Sequence, residues 1–174
     1  MEMSPEVENL YELSRKELLE LLRECPTKLD RFYSSDFPHE LMDFRPEVED
    51  AWTIREHLVH VFDAEVGCYI FIRKAMVEPG SATMWYTGAN WAEPLKYSDQ
   101  LLDQDTLIAL KKVRSLTYEK LKSMEYQDWS EYYVKGSEDE NVDLDFFLKI
   151  LAPHVDWHLE YIDRNEELWR SQNR

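Results

Sequence analysis

Glycine is scarce in this chain, four residues in 174, and a turn-rich β fold is hard to build on so few. Cysteine is scarcer still. Cys25 and Cys68 stand far apart, which excludes a disulfide framework, a paired redox motif and a cysteine metal knuckle. Basic charge is also short: 20 Lys and Arg face 36 Asp and Glu, a formal net charge of −16. Such a field repels phosphate backbones and anionic membranes. The densest basic stretch, Lys111-Lys112-Val113-Arg114, lies in a helical pattern with acidic neighbours, so neither nucleic acid nor membrane is expected as a partner. No apolar run approaches the roughly 20 residues that span a bilayer. The start, Met-Glu-Met-Ser-Pro-Glu, lacks the basic and apolar pattern of a secretion signal, and a reducing cytoplasm is the expected compartment.

What is present is helical. The composition is 44% apolar and 13% aromatic, enough for one buried core, and residues 1–174 read as a single helical domain. Ser4-Pro5-Glu6 reads as a helix start, followed by Leu10, Leu13, Leu18, Leu21, Leu22 and Cys25 at helical spacing. Pro26 predicts a kink or two abutting segments ending near Tyr33. Residues 34–50, with Pro38 and Pro46, read as a connection. Thr53-Ile54-Arg55-Glu56 is a capping box opening a second helix that is apolar on most faces, from Leu58 to Ile72.

Residues 78–102 form a long loop rich in aromatics, including Trp85, Tyr86, Trp91 and Tyr97; loops of this length are often functional. A third helix is predicted over about 103–124. A short extended piece follows at 131–135, with a turn at Gly136-Ser137. Asp143 caps a fourth helix that contains Pro153. Four long helices predict an all-α four-helix bundle with the aromatic loop between its second and third helices.

Two of the five histidines, His154 and His158, are spaced i, i+4 on the fourth helix, so both rings leave one face and can reach one ion. His60 lies in the apolar run Val59-His60-Val61-Phe62, and a buried neutral imidazole needs a partner for each nitrogen. Metal coordination is one solution; a bond to Glu65 or to a backbone carbonyl is the other. His57, beside the cap, reads as the more exposed competitor, and His39 as incidental. The His-Glu-x-x-His order of metalloproteases is absent. Asp63, Glu65, Asp156 and Glu160 are candidates for orienting the rings from behind.

The run Trp52-Thr53-Ile54-Arg55-Glu56-His57-Leu58-Val59-His60-Val61-Phe62-Asp63-Ala64-Glu65, with Tyr69-Ile70 and Arg73, resembles the second-helix motif of DinB-like proteins. Pro153-His154-Val155-Asp156-Trp157-His158-Leu159 resembles their fourth-helix His-x-x-x-His. Glu24-Cys25-Pro26-Thr27-Lys28-Leu29 and the segment around Trp91-Ala92-Glu93 look closer to the YfiT-like branch. The resemblance implies an up-up-down-down bundle, usually dimeric, with a zinc- or nickel-type ion on His60, His154 and His158. It further implies a transferase that uses a low-molecular-weight thiol of the bacillithiol type on a small electrophile, with Trp85, Trp91 and Tyr97 as pocket wall. The rival expectations are a non-enzymatic metal-binding stress-response protein and a metal-dependent hydrolase. YfiT-like sequences are often richer in histidine where this chain has Val155, Asp156, Trp157 and Tyr161.

Overall fold

Four side-chain caps set where the long helices begin. In this computed structural model, which describes residues 9–34, 37–48, 51–83, 91–100, 102–136 and 139–173, Ser14 and Glu17 form a capping box at the start of α1 (Arg15–Lys28). Thr53 and Glu56 do the same for α2 (Ile54–Val77). Asp103 caps α3 (Gln104–Lys122) and Asp143 caps α4 (Leu144–Gln172). The expected start at Ser4-Pro5-Glu6 lies outside the described residues. α1 continues through Pro26 and passes into a 3-10 turn at Asp30–Tyr33.

Each long helix packs against two others: α1 and α2 both touch α3 and α4. Contacts along the seams fix the directions. Arg15 pairs with Asp145 and Lys28 with Asp156, so α1 and α4 run parallel. Phe71 meets Phe147 while His57 meets His158, so α2 runs against α4. Leu107 and Leu110 of α3 share an apolar cluster with Ile54 and Leu58, whereas Leu121 joins Ile72 and Ala75, so α2 and α3 are parallel. The order along the chain is therefore up-down-down-up, which corrects the up-up-down-down order implied by the resemblance. The connection from α1 to α2 carries a one-turn helix (His39–Met42) whose Leu41 and Met42 pack at the end of the bundle where α1 finishes, and α2 must turn back from there. The long segment after Val77 is the crossover that returns the chain to the start of α3.

That crossover is tied down at its start. Gly80 donates to the Tyr133 carbonyl at 2.9 Å and Lys135 donates to the Ser81 carbonyl at 2.9 Å. Gly80 has φ +78°, a conformation that strains any other residue, and a Cβ there would also lie a tight 3.2 Å from the Tyr133 hydroxyl. Tyr133–Lys135 forms β1, paired antiparallel with β2 (Asn141–Asp143), with Val134 opposite Val142 and both buried. The extended piece expected at 131–135 contains β1, the turn expected at Gly136-Ser137 lies partly outside the described residues, and β2 is an addition to the expected elements.

Between the two apolar clusters lies a fully buried ion pair, Glu65 of α2 with Arg114 of α3. Arg114 also donates to the carbonyls of Leu151 at 3.0 Å and Ala152 at 2.8 Å, the two residues before Pro153. Proline disrupts the helix ladder in the preceding turn, and the guanidinium binds the backbone there, immediately ahead of His154. Arg114, the end of the chain's densest basic stretch, is thus structural. No helix among the described residues is long and apolar enough to cross a membrane.

Candidate metal centre

α2 and α4 bring four imidazoles together along their seam. His57 and His60 lie three residues apart on α2, and His154 and His158 four apart on α4, so each pair shares a face. The α2 pair is set by a rigid start: Arg45 bonds both the Ala51 carbonyl and Glu56 Oε1, and Asn165 of α4 donates to the Trp52 carbonyl at 2.8 Å. All four rings are buried.

His154 Nε2 lies 3.3 Å from His60 Nε2 and 3.1 Å from His158 Nε2. An imidazole nitrogen carries either one proton or one lone pair, so His154 Nε2 satisfies one of these neighbours and not both. A cation among the three resolves the conflict. Two nitrogens bound tetrahedrally to zinc at roughly 2.0–2.1 Å lie about 3.3 Å apart, which matches these two distances, and all three donor atoms lie within 4.8 Å of one another. The donor set fits a divalent ion, and it is the set the sequence singled out: His60, His154 and His158. Burial, reinforced by neighbouring imidazoles, pushes His154 down to about 3 and holds His158 well below the ordinary histidine value. Both rings are therefore neutral near pH 7, the form that offers a lone pair.

His57 departs from expectation. It is buried, not exposed, and its Nδ1 lies 2.8 Å from His158 Nδ1, behind the ligand rather than at the centre. Burial pushes it down to about 3. Only one proton fits between the two Nδ1 atoms. If His158 presents the Nε2 lone pair to an ion, its own proton sits on Nδ1 and is donated to His57. His57 thus holds the tautomer and orientation of His158, the part commonly played by a carboxylate. The four carboxylates considered for that part are engaged elsewhere: Asp63 accepts from Tyr97 Oη at 2.7 Å, and Glu65, Asp156 and Glu160 pair with Arg114, Lys28 and Arg164. His154 Nδ1 has no hydrogen-bond partner among the described residues. Replacing His57 by Ala is expected to weaken metal affinity about 10- to 100-fold, and His57→Gln to restore part of it, in competition titrations with a chromogenic chelator.

Aromatic rings enclose the cluster. Trp52 stacks on His158 at 6.3 Å and 13° and meets His60 edge-on at 5.2 Å. Trp157 packs on His158 from the other side at 5.0 Å, and Tyr161 stacks on His57 at 5.6 Å. Sequence reasoning passed over Trp52 and Trp157 as wall residues, although both stand beside the motifs that carry the histidines. The loop aromatics chosen instead do other things. Tyr97 is buried behind Trp52 as a prop, with ring centroids 6.4 Å apart; Trp91 is 41% exposed; Trp85 lies outside the described residues. The space in front of the rings is a cavity of about 270 Å³, bounded by His60 and His154, by further residues of α2 and α4, and by Tyr11. Neither Trp91 nor Tyr97 is among its described lining.

No family model matches the sequence, and no curated protein matches it. Among solved structures, the chain is similar to YfiT from Bacillus subtilis, with a TM-score of 0.75 and 20% sequence identity over 90% of each chain. That protein is described as a probable metal-dependent hydrolase with an unusual four-helix bundle topology. At this identity the likeness establishes the fold: the bundle is YfiT-like, as the resemblance in the sequence implied.

Proposed function

We propose, from a YfiT-like bundle whose three histidines converge on one point, that this protein is a metal-dependent transferase joining a small thiol to a small electrophile. The observation that carries the reading is the chemistry of the cavity in front of the rings. No Asp, Glu, Lys or Arg is among its described lining, and its titratable groups besides the two histidines are Tyr11 and Cys68. Hydrolysis asks for a group that protonates the leaving atom, and such catalysts have pKa values near the working pH. Burial raises Tyr11 above its ordinary value and pushes Cys68 up to about 12, so neither is tuned for that task. Thiol transfer asks for less: the thiol gives its proton to solvent, its sulfur forms a bond to the electrophilic carbon, and the bond to a leaving group such as chloride breaks with departure of an anion that needs no proton.

A divalent ion on three neutral imidazoles keeps its full charge and supplies the means of holding a thiol as thiolate near pH 7. Nitrogen donors suit zinc and nickel. The chain's own part is to hold and orient. His60, His154 and His158 supply the lone pairs, His57 fixes His158, and Trp52 and Trp157 close the flanks against water. Cys68 is half-buried, its thiol is held neutral near pH 7, and it does not serve as the nucleophile.

Hydrolysis is the second reading, favoured by the description of the structural neighbour. Cobalt-loaded protein separates the two. A panel of small thiols is expected to raise a sulfur-to-cobalt charge-transfer absorption and to yield conjugates with 1-chloro-2,4-dinitrobenzene, detected by mass spectrometry. Failure of every thiol on both counts, together with metal-dependent cleavage of simple esters or amides, would replace transfer by hydrolysis.

A further inference from the structure

The cavity also constrains what enters it. Its walls are Ala64 and Phe71 from α2 and Phe147, Ile150, Leu151 and Trp157 from α4, closing on His60 and His154 at one side. A charged group moved into such a space loses much of its hydration and meets no charge of opposite sign on an Asp, Glu, Lys or Arg of the described lining. A separate groove beside Trp52 has the opposite character: Arg45, Glu56, Glu93, Lys96 and Asp99 line it, and none of the histidines does. Charged ligand groups therefore have partners in that groove, but not in front of the rings.

Size narrows the choice further. An apolar cavity of about 150 Å³ accepts benzene. At about 270 Å³ the present one has room for a substituted ring or a small bicyclic system, but not for a sugar or nucleotide with its hydration. We infer that the substrate enters through an uncharged aromatic or branched-alkyl group of one- to two-ring size, seated between Phe71, Phe147 and Trp157. This rests on the reading of the histidines as the reaction centre that the cavity serves.

The test is a binding measurement on metal-loaded and metal-free protein, using indole as the neutral probe and benzylammonium as the charged one, by isothermal calorimetry. Indole is expected to bind both forms alike, and benzylammonium at least about tenfold more weakly. Ala64→Phe fills the cavity from its floor. Ile150→Trp fills it from a partly exposed position where the fold tolerates bulk. Each is expected to weaken indole about tenfold or more with metal content unchanged. Benzylammonium binding as tightly as indole, or indole indifferent to both variants, would overturn the inference. The outcomes also separate it from the transfer reading. Indole binding that is lost in both variants, without any thiol chemistry, leaves the cavity assignment standing and removes only the transferase. Thiol transfer by a wild type that does not bind indole removes the cavity assignment alone.

Discussion

Replacing His154 by Ala is expected to abolish stoichiometric metal binding, the largest functional effect of any single substitution in this chain. His154 is the ring common to both close contacts, 3.3 Å from His60 and 3.1 Å from His158 at their Nε2 atoms. Without it two nitrogens from different helices remain, and a two-nitrogen site has neither the affinity nor the geometry of the triad. His60→Ala and His158→Ala are expected to behave alike. His39→Ala is the control, since His39 is exposed on the one-turn helix. The readout is thermal as well as analytical. A ligand at a thousand times its Kd stabilises the folded state by about 4 kcal/mol, which for a chain of this size raises Tm by roughly 8–16 °C. The wild type is expected to show that rise on adding zinc or nickel, and the three variants to lose it.

The same rings give the metal-free protein a characteristic pH dependence. His154 and His57 are held at about 3 in the folded protein, against 6.5 for free histidine. The unfolded chain therefore takes up protons that the folded chain refuses. Stability that is full above about pH 6.5 drains away as the pH falls from there toward about 3. His154→Ala removes one of these groups, and its acid sensitivity is expected to be smaller than that of the metal-free wild type.

Arg114→Met is expected to be the most destabilising single change outside the metal centre. The guanidinium is fully buried, pairs with the equally buried Glu65, and bonds the Leu151 and Ala152 carbonyls. Burial pushes the Glu65 carboxyl up, and the neighbouring guanidinium opposes that shift. Removing the cation leaves a carboxylate with no partner in the interior, a loss of about 3–5 kcal/mol. In thermal melts this corresponds to a fall in Tm of roughly 6–20 °C. The double variant Glu65→Met/Arg114→Met is expected to recover most of it, because a well-packed apolar pair of similar volume is often no worse than the ion pair. A double variant as unstable as Arg114→Met alone would place the stability in the carbonyl bonds before Pro153 instead.

Several parts of this architecture are local and could be read directly from sequence. Thr53-x-x-Glu56 and Asp143 mark helix starts because a cap needs only residues within one turn. Ser14-x-x-Glu17 carried the same signal, and the proline at position 5 drew attention away from it. The i, i+4 spacing of His154 and His158 and the apolar setting of His60 point to the triad, and the resemblance to DinB-like proteins closes it. His57 was misjudged on its nearness to the cap, although its i, i+3 spacing to His60 put both rings on one face. Its burial depends on Tyr161 and His158 of α4 closing over it, a fact of packing between distant segments.

Helix direction was not legible at all. It is decided by where the connections end: at Leu41 and Met42, which turn the chain back after α1, and at Gly80, which starts the crossover after α2. The cavity lining was hidden for the same reason. Phe71 and Phe147 read simply as apolar helix residues until α2 and α4 are laid antiparallel. The loop aromatics were the more visible in sequence and the less relevant in space, since Tyr97 serves Trp52 and Asp63 rather than the rings' open side.

The central claim is that His60, His154 and His158 form one metal centre with His57 behind it, and the metal's own coordination sphere tests it most directly. Purified wild-type protein, reconstituted with zinc or nickel and dialysed, should hold one ion per chain. X-ray absorption at the metal edge should find three imidazole nitrogens and a remaining light or sulfur ligand in the wild type and the same three in His57→Ala, while His158→Ala treated in the same way should retain no stoichiometric ion. An ion held by carboxylates, a first shell that loses an imidazole in His57→Ala, or no ion retained by the wild type would contradict it.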